Sequence, residues 1–254
     1  MRQNTVKQRL AEGRVCVGAG IPIPSPDLVE VAGSAGFDFV TFDAEHGLIS
    51  DEKICDMVRA AESFSITPIV RVAKNPERIF TSLVAGAQGI HIPRCNSMED
   101  AIALVEWTKH FPNGKRTFYS LGRSANYGVQ IDDAGWAQEA NSELLLVVMI
   151  EEVEGVSALS EILSVPGVDA IHIGPRDLWQ SMGMPEEAEV EEAMAHIVAE
   201  SLAAGKNVSV TLHYDDRIHE RIAENVDRGV RMVTIPILDF ILSGAAELLG
   251  QVRP

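Results

Sequence analysis

A chain of 254 residues with 46% apolar content can bury one large core, and its 37 Asp and Glu against 21 Lys and Arg leave a formal charge of −16. That acidity repels phosphate backbones and anionic lipid surfaces, which excludes nucleic acid and membrane as expected partners. Cys16, Cys55 and Cys95 form neither a C-x-x-C pair nor a disulfide framework, and the polar start MRQNTVKQRLAEGR lacks a secretory leader pattern, so a reduced cytoplasmic setting is expected.

Eight short apolar runs follow in order: VCVGAG (15–20), FDFVTFDA (37–44), TPIVRV (67–72), GIHIP (89–93), LLLVVMIE (144–151), VDAIHIG (168–174), NVSVTL (207–212) and VRMVTIPI (230–237). They are continuous rather than alternating, as parallel strands covered on both faces are. The segments between them carry helix punctuation. Ser25 caps a helix with Pro26 at its first position and Gly36 at its end, and Asn75 with Pro76 repeats the device. Ser97 with Asp100 resembles a capping box, while Pro166–Gly167 and Gly205 close the helices before the sixth and seventh runs. Eight βα units in this length predict an α/β fold, a (β/α)8 TIM barrel in one domain over residues 1–254, with a doubly wound open sheet as the alternative. Residues 112–141 are expected to form a long loop between strands four and five.

In a barrel the chemistry sits at the C-terminal strand ends. There the second strand offers Asp43, Glu45 and His46; the third Arg71; the fifth Glu151 and Glu152; the sixth Gly174, Pro175, Arg176 and Asp177. Each has a plainer explanation. Glu151 and Asp177 could be solvated acids or a helix cap, His46 a structural imidazole, and Arg71 one half of a buried ion pair. Their joint placement favours chemistry, because carboxylates on adjacent strand ends repel unless a cation or proton lies between them. Oxygen ligands without clustered Cys or His suit Mg²⁺, Mn²⁺ or Co²⁺. Asp43, three residues before His46, is placed to orient the ring or raise its basicity. His91 and His172, each within an apolar IHI, are assigned to core hydrogen bonding. Neither a G-x-G-x-x-G nor a Walker pattern is present, so NAD and ATP are not expected.

FDFVTFDAEHG, PIVRV, AGAQGIHIP, VMIEEVEGV and, most specifically, VPGVDAIHIGPRDLWQSMG resemble the HpcH/HpaI family of class II pyruvate aldolases, whose relatives include macrophomate synthase. The resemblance covers roughly residues 10–235. It implies Glu151 and Asp177 as ligands of a divalent ion, Mg²⁺ first, with His46 as acid/base residue and Asp43 beside it. Arg71 would stabilise developing negative charge, and the backbone of Gly174, Pro175, Arg176 and Asp177 would receive the carboxylate of a 2-oxo acid. Two departures stand out: Met149 where aldolases of the family commonly have Gln, and Val84 where they often have an Asp that tunes the active-site His. The loop residues Arg123, Asn126 and Tyr127 are expected either to reach the barrel mouth or to form an oligomer contact. The resemblance also implies a homo-oligomer, often a hexamer. The leading expectation is retro-aldol cleavage of a 4-hydroxy-2-oxo acid to pyruvate and an aldehyde. The alternatives are decarboxylation of oxaloacetate or a related β-keto acid, and a catalytically silent keto-acid-binding barrel.

Overall fold

The computed structural model describes residues 2–129 and 131–252; Met1, Gln130, Arg253 and Pro254 lie outside the described residues. Eight parallel strands, β1 (Cys16–Ile21), β2 (Phe39–Asp43), β3 (Thr67–Arg71), β4 (Gly89–Ile92), β5 (Leu145–Ile150), β6 (Ala170–Ile173), β7 (Asn207–Thr211) and β8 (Met232–Pro236), close in sequence order into a barrel. The β1–β8 pairing, Cys16 against Met232 through Gly20 against Pro236, rules out the open sheet. The helices are α1 (Thr5–Ala11), α2 (Pro26–Ala35), α3 (Asp51–Ser63), α4 (Pro76–Ala85), α5 (Met98–Thr108), α6 (Asp133–Glu143), α7 (Val153–Ser157), α8 (Leu159–Ser164), α9 (Pro175–Ser181), α10 (Glu187–Ala203), α11 (Ile218–Asp227) and α12 (Ile237–Val252). None of the described helices is long and apolar enough to cross a membrane.

The punctuation acts as its chemistry dictates. Ser25 accepts the Leu28 N–H, Asn75 accepts those of Glu77 and Arg78, and Gly36 ends α2 at φ 90°, in the left-handed region. Ser97 accepts from Asp100 N–H, but the Asp100 carboxylate returns to Asn96 N–H, one residue short of a reciprocal capping box. The β4–β5 connection holds less loop than the sequence implies. It contains a 3₁₀ turn, Arg123–Gly128, and then α6, which buries Trp136, Ala137 and Ala140. Gly135 and Asn141 inside α6 are weak helix formers and mask its periodicity.

Val, Ile and Leu on the outward strand faces meet the helices in one continuous core. Inside the barrel, strand tilt brings the inward residues of alternate strands to a common level. Toward the N-terminal end, Val6 and Leu10 of α1 pack with Phe39, Ile69, Leu145, Ala170 and Met232 and seal the barrel. Nearer the mouth, register and strand tilt bring together Thr41, His91, His172 and Thr234, all buried and all polar. The two imidazoles stack with centroids 4.5 Å apart. His172 has Ser209 Oγ at 2.9 Å and Thr211 Oγ1 at 3.4 Å on its two nitrogens, and burial drives its pKa down to about 3. His91, 7% exposed, differs from expectation: its Nε2 is buried without a hydrogen-bond partner.

An orphaned buried nitrogen costs about 1–3 kcal/mol. His91→Leu, which removes it at similar volume, is therefore expected to raise the thermal midpoint by several degrees, read by calorimetry. A lowered midpoint would show that the imidazole contributes a stabilising contact.

Candidate active site

The sharp turn after β2 is set by one side chain. Asp43 Oδ1 accepts the backbone N–H groups of Glu45 (3.3 Å) and His46 (3.1 Å), and the chain folds back so tightly that a Cβ at Gly47 would lie 2.3 Å from the Asp43 carbonyl oxygen. Asp43 is the in-register neighbour of Arg71 on β3. The guanidinium grips it at two points, Nε to Oδ1 at 3.0 Å and Nη2 to Oδ2 at 2.5 Å. Burial opposes charge on both groups, yet the paired hydrogen bonds prevail, so Asp43 titrates below its ordinary value and Arg71 above.

Arg71 Nη2 also lies 2.9 Å from His46 Nδ1. A guanidinium only donates, so Nδ1 accepts and the ring proton belongs on Nε2. The expected direct contact of Asp43 with the ring is replaced by a chain through Arg71, the Asp43 Oδ2 to His46 Nδ1 distance being 3.6 Å. Glu45 stands on the other side of the guanidinium, with Oε2 at 3.6 Å from Arg71 Nε and without a hydrogen bond of its own.

Glu151 caps β5 and is 4% exposed. Its Oε1 accepts Arg94 N–H at 2.9 Å, and Arg94 reaches that position by adopting φ 53°, left-handed for a non-glycine residue. The Arg94 guanidinium sits 3.5 Å from Glu45 Oε1. Oε2 of Glu151 lies over Gly174, where a Cβ would approach it to 2.6 Å, so glycine at the β6–α9 corner is a clearance for this carboxylate. Asp177 lies in the first turn of α9, exposed, as is Arg176, with Pro175 opening that helix. Burial first, then repulsion from Asp177 and Glu45, pushes the Glu151 pKa up to about 7 against the pull of Arg94 N–H and Arg71.

A buried carboxylate with a free oxygen and a second carboxylate close enough to repel it fit a hard divalent ion. Asp43, Glu45 and His46 also bring three ligand atoms within 4.8 Å of one another, but the Arg71 guanidinium already supplies the cation there. Glu151 and Asp177 repel each other and, among the described residues, have no such guanidinium between them, which makes them a second candidate for an ion.

Other sequence candidates lie elsewhere. Arg123 pairs with Glu62 at the C-terminal end of α3, and a Cβ at Gly86 would lie 3.0 Å from its Nη1; these elements finish where the strands begin, at the opposite end from the carboxylates. Asn126 and Tyr127, both left-handed, line a cleft of about 740 Å³ with it. Val84, near the end of α4, faces the Gly122 backbone at that same end, so it does not adjoin His46 of its own chain. Met149 points into the lumen, 3% exposed, its methyl against Gly174. Glu152 is tied by Asn96 Nδ2 rather than left to solvent. Arg94 was missed; only its place just beyond β4, after Pro93, could have pointed to it.

A closed βα barrel whose mouth gathers an Asp-clamped arginine, an imidazole and two repelling carboxylates defines an enzyme of the metal-assisted carbon–carbon lyase class. The comparisons agree. Residues 20–236 match the family described as HpcH/HpaI aldolase/citrate lyase, and the chain belongs to that family. It is 30% identical to a hydroxypyruvate/pyruvate aldolase of Rhizorhabdus wittichii over 98% of this chain and 99% of that one. It is 29% identical to a 4-hydroxy-2-oxo-heptane-1,7-dioate aldolase of Salmonella dublin over 98% of this chain and 94% of that one. The solved citrate synthase SbnG superposes with a TM-score of 0.87 at 32% identity, covering 99% of this chain and 98% of that one.

The Glu151 environment predicts a pH effect. Its folded pKa, about 7, lies above the ordinary 4.5, so the native state holds the extra proton and stability without divalent ions falls as pH rises between these values. Glu151→Gln should therefore be more stable than the parent at pH 8 in chelator, the gap closing toward pH 4.5 in denaturant titrations. A gap independent of pH would refute this.

Proposed function

We propose that this chain cleaves a 4-hydroxy-2-oxo acid to pyruvate and an aldehyde at the mouth of the barrel. The observation that carries it is the convergence of Arg71, His46, Glu151 and the Gly174–Asp177 corner on one rim. Glu151 and Asp177 hold a divalent ion, Mg²⁺ first, with Mn²⁺ or Co²⁺ as substitutes. Such an ion would supply Lewis-acid stabilisation of negative charge on the 2-oxo acid. The backbone of Gly174, Pro175, Arg176 and Asp177 receives that carboxylate.

Arg71 enters the reaction already oriented, since Asp43 fixes two of its donors, and it meets the charge that develops on the enolate oxygen. His46 handles the proton of the 4-hydroxyl. In the tautomer bonded here Nδ1 accepts from Arg71 and Nε2 carries the proton, so the neutral ring presents no lone pair to the substrate. Base work in cleavage requires the other tautomer, with the ring proton on Nδ1 facing Asp43 Oδ2 at 3.6 Å; Nε2 then takes the hydroxyl proton to give an imidazolium, which returns it to the alkoxide in the condensation direction. Oxaloacetate decarboxylation needs the same enolate stabilisation without this base. The aldolase relatives do not favour a silent barrel.

Pyruvate release measured with a coupled dehydrogenase tests the reading. Glu151→Gln and Asp177→Asn are expected to lose about 1,000-fold or more in kcat at fixed Mg²⁺, and Arg71→Lys about 100-fold, with the fold retained. Turnover in Glu151→Gln equal to the parent would sink it.

We further infer a homo-oligomer, a hexamer by family resemblance. Of the sixteen residues of α12 only Ile237 is buried, while Ile241, Leu242, Leu248, Leu249 and Val252 are exposed, a patch that isolated surfaces avoid. A second copy covering α12 relieves it, and the Arg123–Tyr127 turn, remote from its own mouth, is then a contact with a neighbouring chain. Leu242→Glu combined with Leu249→Glu should shift the mass by light scattering to a smaller species; an unchanged mass would dismiss this role for α12. The three free thiols accord with a reduced cytoplasmic setting.

A further inference from the structure

A second imidazole–carboxylate pair stands at the mouth on the side away from His46. Val208, Val210 and Leu212 belong to the outer core, whereas Ser209 and Thr211 reach His172 in the lumen, and His213, two residues past the end of β7, continues that lumen-facing parity. Extended past the strand ends the registers run Glu151–Gly174–Thr211, and the tilt of the strands brings His213, two residues on, to the height of Glu151 two strands away.

His213 Nδ1 lies 3.0 Å from Asp239 Oδ2, in the first turn of α12, and the same oxygen accepts Tyr214 N–H at 3.0 Å. Tyr214 stacks on Phe240 with centroids 4.5 Å apart, and Arg221 donates to the His213 carbonyl at 2.6 Å. The backbone is therefore pinned on both sides of the ring. Asp239 takes the Nδ1–H, leaving an Nε2 lone pair on an imidazole that is half exposed, its side chain at 55%.

On the arc of the rim from His46 to His213, the lumen positions of β1 and β8 are Gly20 and Pro236, neither of which has a hydrogen-bonding side chain. The part of a substrate beyond the pyruvate unit has that open arc to occupy, and the dyad is the polar group that bounds it. The Arg221 guanidinium, which bonds the His213 carbonyl, is paired with Asp215 at 2.6 Å, which argues against a carboxylate as the group recognised.

We propose that His213, oriented by Asp239, recognises the aldehyde half of the substrate by accepting a hydrogen bond from a hydroxyl on it, so that short hydroxylated aldehydes are the preferred partners of pyruvate. This rests on the aldolase reading above. His213 is a binding residue and Asp239 a positioning residue.

The test is steady-state condensation of pyruvate, with Mn²⁺, onto glyceraldehyde, succinic semialdehyde and propionaldehyde, with oxaloacetate decarboxylation as the reaction that lacks an aldehyde half. For His213→Leu, kcat/KM with glyceraldehyde should fall about tenfold or more relative to the same variant's decarboxylation and propionaldehyde rates. Asp239→Asn should raise KM for glyceraldehyde more than it lowers kcat. An equal loss on all aldehydes, no loss, or a loss confined to succinic semialdehyde would overturn the subsite while leaving the aldolase reading intact. A parent enzyme inactive on oxaloacetate and on every aldehyde would remove both.

Discussion

The two-point pair between Arg71 and Asp43 is the interaction on which the mouth depends. A guanidinium at the end of an apolar strand needs an anion, and β2–β3 register supplies one beside it. The same carboxylate winds the DAEHG turn by accepting two backbone N–H groups, so one residue both holds the arginine and decides where Glu45 and His46 emerge. From that follows the proton arrangement on His46, whose Nδ1 is claimed by Arg71.

Against this satisfied cation stands an unsatisfied excess of negative charge. Glu45 and Glu151 are largely buried and Asp177 adds to the repulsion, with Arg94 reaching both glutamates from a strained backbone. Local electrostatics of this kind favour a proton or a cation, and the clearance at Gly174 leaves room for the second Glu151 oxygen. Beneath lies a polar level of Thr41, His91, His172 and Thr234 where most barrels of this kind stack branched aliphatics. The apolar seal by α1 sits lower still, so the polar interior runs down from the mouth rather than through the molecule.

Much of this was legible from one-dimensional patterns. Continuous apolar runs, Ser25, Asn75 and the glycines after helices mark eight units because strand burial and helix capping are local rules. Asp43, His46, Arg71, Glu151 and Asp177 could be singled out because polar groups at the ends of apolar strands are conspicuous. Legibility failed where distance in space departs from position in sequence. Arg94 serves Glu151 through a backbone N–H, which no side-chain pattern reveals. Arg123 and Val84 look adjacent to chemistry only until the barrel's two ends are told apart. The α6 helix, whose sequence pattern Gly135 and Asn141 obscure, reads as loop because its burial against the 3₁₀ turn, not its propensity, stabilises it.

By itself the sequence determined the number of βα units, the strand ends and the acids they carry, since these follow from periodicity and capping within a few residues. Only the tertiary structure decided which groups share a proton or a charge: Arg71 between Asp43 and His46, Arg94 on Glu151, Asp239 on His213. The reason is that hydrogen bonds and ion pairs act over about 3 Å. Barrel closure and strand register bring residues tens of positions apart to that range, and neither is written in any single segment.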